Sequence, residues 1–228
     1  MSRISYRTEI VDGRCYFNDG RKHVLVDTGY GMTVSTDGTI GDFNVMKCDE
    51  ERLHSFNPIL MNDGSKIGGI LCPLNGYNVM MTRKYVTIDD ESTELPWHEW
   101  FIPFESEYVP LVICKVDGID KRLFFDTGMR MPVLDDDNLI IGKTMIGKQL
   151  EWIGIMKCLF EAPLYNATLT FPCGYTMCSQ MEHDYLHKCV KRFSHLNIDG
   201  FLGLQFLNQF DVYISMVGEK KGIALVSR

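Results

Sequence analysis

Two stretches of the chain, Val24-Leu25-Val26-Asp27-Thr28-Gly29 and Leu123-Phe124-Phe125-Asp126-Thr127-Gly128, share one design. In each, an apolar run with no polar interruption ends in an acid, a small hydroxyl residue and a glycine. Unbroken apolarity over so few residues predicts a strand covered on both faces. The glycine predicts a tight loop with a backbone shape that other residues resist. Each copy therefore delivers one carboxylate from the end of a rigid strand onto a sharp turn. A single D-T-G would be an ordinary turn. Two copies, with Asp126 following Asp27 by 99 residues, about the length of a small folding unit, constrain the chain to a repeated design.

The flanks repeat as well. Ile4 to Phe17 alternates like a strand pair around an Asp12-Gly13 turn, and Asn18-Asp19-Gly20 turns the chain into HVLVDTG. Later, Pro110 to Val116 reads as a strand, Asp117-Gly118 as a turn and KRLFFDTG as the returning strand. Downstream of the second acid, Gly200 and Gly203 bracket Phe201-Leu202 before strands around Val212 and Ala224. The first copy has Gly68, Gly69, Ile70 and Leu71, with Cys72 where the later glycine falls. Thr39 to Met46 reads as a strand and Asp49 to His54 as a short helix. A long β-like stretch runs from Met145 to Phe171. From Met181 to Leu196, apolar residues at Met181, Tyr185, Cys189, Phe193 and Leu196 predict an amphipathic helix. His183, Asp184, His187, Lys188, Lys191 and Arg192 fall on its polar side.

These motifs resemble the aspartic proteases, in which two identical subunits (retroviral-type) or two lobes of one chain (pepsin-like) give one D-T-G each. The closest resemblance is to a retropepsin-like fold fused in tandem. It implies an all-β, two-lobed acid-protease (pepsin/retropepsin-like) β-barrel fold with one or two short helices. Residues 1–90 would form the N-terminal lobe, 91–105 a linker and 106–228 the C-terminal lobe. By this resemblance Asp27 and Asp126 are the catalytic pair. Thr28 and Thr127 bond across to the opposite loop, and Gly29 and Gly128 permit the close approach. Two carboxyls held close share one proton, so one member acts as base while the other is still acid. The implied activity is cofactor-free endopeptidase hydrolysis of a peptide or polypeptide substrate, by a chain active as a monomer. The alternative is a catalytically inactive peptide- or protein-binding module on the same fold. The sequence departs from the family after each glycine: Tyr30 and Met129 stand where pepsin-like lobes carry Ser or Thr and retroviral ones Ala. Loss of that hydroxyl predicts higher pKa values for the pair. Flap candidates are Thr36 to Phe43 and Ile146 to Ile155.

Composition narrows the partners. A formal charge of −7 gives no basic face for phosphates, so no nucleic-acid partner is expected. MSRISYRTEI lacks the apolar run of a signal peptide and no long apolar segment follows, so a cytoplasmic location without membrane contact is expected. The eight scattered cysteines then read as buried, reduced thiols. Between the halves, the acidic front of DDESTELPWHEWFIPFES reads as an exposed linker. Its aromatic back, Trp97, Trp100, Phe101 and Phe104, reads as packing at the seam.

Rival chemistry is weaker. His183 and His187 have the spacing of a helical zinc-protease motif, and Cys173 and Cys178 lie upstream. Asp184 replaces the general-base Glu, and the Lys/Arg-rich face reads as solvated, so no metal is expected. Gly142-Lys143-Thr144 resembles the tail of a phosphate loop but has Asp137 where the first glycine belongs.

Overall fold

The computed structural model describes residues 3–89, 95–153, 158–184 and 190–228. Over these the chain is predominantly β, with one α-helix, Glu50–Phe56, and short 3-10 turns. That helix starts where the sequence places it, since Asp49 caps it by accepting from the Arg52 N–H and Glu50 and Glu51 face its positive end.

The larger sheet runs Trp100–Pro103, Gly222–Val226, Asp211–Ser215, Asn78–Met81, Tyr85–Asp89, Ile4–Val11, Arg14–Asn18, His23–Val26, Ile67–Leu71, Val34–Ser35 and Met46–Lys47. It draws on both ends of the sequence: Val212 lies opposite Met81 where the late strand joins the early ones. The smaller sheet runs Leu111–Val116, Ile119–Phe125, Gly200–Leu202, Val133–Leu134, Thr176–His183, Cys158–Thr170 and Gly147–Ile153. Leu111–Val116 also pairs with Cys158–Thr170, so all but the last of these close into a ring. Closure removes the open edges that a flat sheet would present. Gly147–Ile153 is added outside the ring.

Around each acid the same small topology recurs. His23–Val26 and Ile119–Phe125 each return from a hairpin. Each then runs parallel to a later strand, with Leu25 opposite Ile70 and Phe124 opposite Phe201. On its far side that later strand pairs antiparallel with a short one, Val34–Ser35 or Val133–Leu134. The unbroken apolar runs are explained by what lies on each face. Val24 and Val26 enter the main core, whereas Leu25 packs with Tyr16, Leu53 and Ile70. Leu123 and Phe125 enter the main core, whereas Phe124 packs with Leu111, Phe160 and Phe201. Each such side chain contributes about 1.5–3 kcal/mol by leaving water, so both acid-bearing strands are held rigidly.

Several expectations are corrected. Met181 and His183 belong to the strand Thr176–His183, not to a helix. A spacing of four residues fits a strand face as well as a helix face, and pairing on both sides decides, with Glu182 opposite Leu164 and Val133. Residues 185–189 lie outside the described residues, and Val190–Leu196 holds short 3-10 turns kinked at a non-helical Phe193. Thr39–Ile40 and Phe43–Asn44 form a separate small hairpin rather than one strand. Trp100 and Phe104 pack on Tyr175 and Phe125, whereas Trp97 is 73% exposed. Cys15, Cys72 and Cys114 are buried free thiols, but Cys178 is exposed, and Cys158 and Cys189 fall outside the described side chains.

Candidate active site

The two parallel pairings place both acids alike. The Asp27 N–H donates to the Leu71 carbonyl and the Asp126 N–H to the Leu202 carbonyl, each at 2.9 Å. Each carboxylate then accepts from the turn it begins: Asp27 Oδ1 from the Gly29 and Tyr30 N–H groups at 2.7 and 3.0 Å, Asp126 Oδ1 from the Gly128 N–H at 2.8 Å.

The turns interlock through two fully buried threonines. The Thr28 N–H donates to Thr127 Oγ1 and the Thr127 N–H to Thr28 Oγ1, both at 3.0 Å. Each hydroxyl passes its own proton across as well, Thr28 to the Phe125 carbonyl at 2.7 Å and Thr127 to the Val26 carbonyl at 2.8 Å. Glycine is required beside each acid because the loops touch there. A Cβ on Gly128 would stand 2.6 Å from Asp27 Oδ2, and one on Gly29 would overlap the Asp126 carboxylate. All of the residues expected at the site, Asp27, Thr28, Gly29, Asp126, Thr127 and Gly128, are thus brought together. The two carboxyls hydrogen-bond each other.

Burial, the Asp126 charge and the shared hydrogen bond hold the Asp27 pKa well above the usual carboxylate range. Burial raises Asp126 too, but the Gly128 N–H, the bond from Asp27 and the positive charge of Arg14 restrain it. Of the two, Asp27 is the one held further above that range.

Both acids line one cavity of about 360 Å³. Its walls include Tyr30, Phe56 and Ile59 from the first half and Met129, Val133, Phe160, Phe193 and Phe201 from the second. Tyr30 sits edge-on to Phe56 at 4.6 Å, and Met129 packs against the Phe124 cluster. Of the flap candidates, the strand Gly147–Ile153 reaches this cavity: Glu151 and Trp152 line it, and Trp152 Nε1 donates to the Phe56 carbonyl at 2.8 Å. Residues 154 and 155 of that candidate lie outside the described residues. The other candidate hairpin contributes nothing to the lining.

No protein-family model matches the chain, and no curated protein matches it either.

Five further charged residues line the cavity, Arg14, Arg52, Arg130, Glu151 and Glu182, none of them singled out as a site residue by the sequence. Arg14 Nε donates to the Gly128 carbonyl at 2.7 Å and Nη2 to Glu151 Oε2 at 2.9 Å. Arg130 Nε donates to Glu151 Oε1, and its Nη1 to Asp12 Oδ1 at 2.8 Å. Glu182, fully enclosed beside Glu151, has its pKa pushed up to about 9 by burial and by that neighbouring acid. The folded chain there keeps a proton that the unfolded chain has released above the ordinary carboxylate range. Stability tied to this group is therefore lost as pH rises from about 4.5 toward 9. Glu182→Gln, which needs no proton, should melt higher than wild type at pH 8 by about 5 °C, on the order of 2 kcal/mol. The gap should shrink toward pH 5 in parallel thermal melts, and a gap independent of pH would contradict the assignment.

His183, expected on a solvated face, is instead buried, with Nε2 3.0 Å from Asp137 Oδ1. Among the described residues no group of three or more His, Cys, Asp or Glu could hold a metal ion. Among them, too, no helix is long and apolar enough to cross a membrane.

Proposed function

We propose that this chain is an aspartic endopeptidase of the two-lobed acid-protease fold, acting without a cofactor, as a monomer, on extended polypeptide segments. The observation that carries the reading is the mutually hydrogen-bonded pair Asp27 and Asp126 facing one cavity, with both pKa values raised. Asp126, beside Arg14, is the ionised member and takes a proton from a water molecule as its oxygen attacks the scissile carbonyl. Asp27 gives its proton to the carbonyl oxygen. Collapse of the tetrahedral diol then moves a proton from Asp126 to the departing amine and returns one from the diol hydroxyl to Asp27. The pair ends as it began, and neither acid bonds covalently to substrate. The substrate lies in the cleft as an added strand.

The experiment is digestion of a mixed peptide library across pH, with and without pepstatin. Pepstatin-sensitive cleavage is expected. Its rate should peak above about pH 4, because the acid limb follows the raised first ionisation of the pair. A peak in strong acid would contradict the raised pKa values of the pair. Peptide binding with no cleavage at any pH would favour the inactive binding module instead.

A further inference from the structure

The cavity that holds the catalytic pair contains a second acid pair, Glu151 and Glu182, which the hydrolytic steps do not use. Geometry assigns the charge within it. Both Glu151 oxygens accept from guanidinium groups, Oε1 from Arg130 and Oε2 from Arg14, so Glu151 is the carboxylate. No N–H or O–H group of the described residues reaches the buried Glu182 Oε1. The partner of Glu182 is the other acid. A proton must lie between them, and Glu182 carries it, as a neutral carboxylic acid. Arg14 and Arg130 are themselves paired with the acids Asp12 and Glu151.

Strand register sets what surrounds this acid. Glu182 lies beside Val133, and Val133 beside Phe201, while Glu151 lies opposite Phe160. All of them line the cavity. A side chain entering here meets apolar walls and, at the end, an uncharged carboxyl able to pair with a donor. Two arginines held within the same network oppose a cation, and Glu151 beside Glu182 opposes an anion. An apolar stem ending in a neutral hydrogen-bond donor meets neither objection.

Resting on the peptidase reading, we propose that Glu182 is a specificity-determining residue, forming with Val133, Phe160 and Phe201 a subsite for uncharged donor-bearing side chains, glutamine and tyrosine before others.

The test is a peptide library randomised around the scissile bond and read by mass spectrometry, with wild type, Glu182→Met and Glu182→Gln side by side. At one flanking position wild type should cleave Gln over Met, and Tyr over Phe, by about tenfold, the scale of one hydrogen bond to a buried group. Glu182→Met should bring both ratios to within about twofold of one. Glu182→Gln, which keeps a carbonyl acceptor and can still donate to Glu151, should retain them. A preference for Lys or Arg at that position, or ratios that Glu182→Met does not move, overturns the proposal. If wild type cleaves nothing, the peptidase reading fails separately. The subsite is then read by fluorescence anisotropy of the same peptides on the Asp126→Asn chain. Gln-bearing peptides should bind about tenfold tighter than Met-bearing ones, an advantage lost in Asp126→Asn/Glu182→Met, and equal binding overturns it.

Discussion

Replacing Asp27 or Asp126 by Asn is expected to lower kcat/KM on any cleaved peptide by at least about 10³-fold while raising the melting temperature at neutral pH. The two signs come from one cause. Burial raises both carboxyl pKa values, and the Asp126 charge raises Asp27 further. The folded chain therefore binds protons that the unfolded chain has released, and stability falls as pH rises through the raised values. Asn supplies a neutral partner without the proton that the folded pair must otherwise take up. It also keeps an oxygen for the turn: at position 27 that oxygen can still accept from the Gly29 and Tyr30 N–H groups. The gain should be about 1–2 kcal/mol at pH 7, roughly 2–8 °C, and should vanish near pH 3, where the acids are protonated in both states. Paired activity assays and thermal melts decide the matter. Loss of activity through unfolding would move both readings down together, whereas loss of the acid–base pair moves them apart. Cleavage that survives in both variants would remove the pair from the chemistry.

What the sequence discloses about this site is what is local or repeated. Hairpins around Asp12-Gly13 and Asp117-Gly118 are legible because turn residues and period-two patterns act over a few positions. The two acids are legible because each stands at the end of an apolar run whose faces enter different clusters. The second acid pair is not. Arg14 and Glu151 are 137 residues apart, and nothing in RCYF announces that its arginine turns inward. Glu182 sits in a strand whose methionines fit a helix equally well, so sheet pairing rather than local pattern fixes its position. The departure at Cys72 also has a tertiary cause. At Gly203 a Cβ would stand 2.5 Å from the Met131 backbone nitrogen, which demands glycine. At Cys72 the neighbour is instead the Thr33 hydroxyl, which accepts the Cys72 N–H at 3.0 Å and leaves room for a side chain.

Thr28→Val and Thr127→Val are each expected to cost about 3 kcal/mol of folding stability, or roughly 6–12 °C. Valine keeps the shape of threonine and removes only the hydroxyl. At Thr28 that strands two groups at once: the Thr127 N–H loses its acceptor and the Phe125 carbonyl loses its donor, with no solvent at hand because both threonines are fully buried. Thr127→Val strands the Thr28 N–H and the Val26 carbonyl in the same way. Serine at either position keeps the oxygen and should recover most of the loss, which separates the hydrogen bonds from the packing of the methyl group. The double valine variant should cost less than twice a single one, because each substitution already disrupts the exchange that the other would remove. These strands carry the two acids, so a shift of even a fraction of an ångström between loops alters their separation. Activity should then fall by about 10²-fold even where the chain remains folded. Urea unfolding and kcat measured on the same preparations read both effects. Valine variants within about 0.5 kcal/mol of wild type would mean that the crossed hydroxyls do not hold the two loops together.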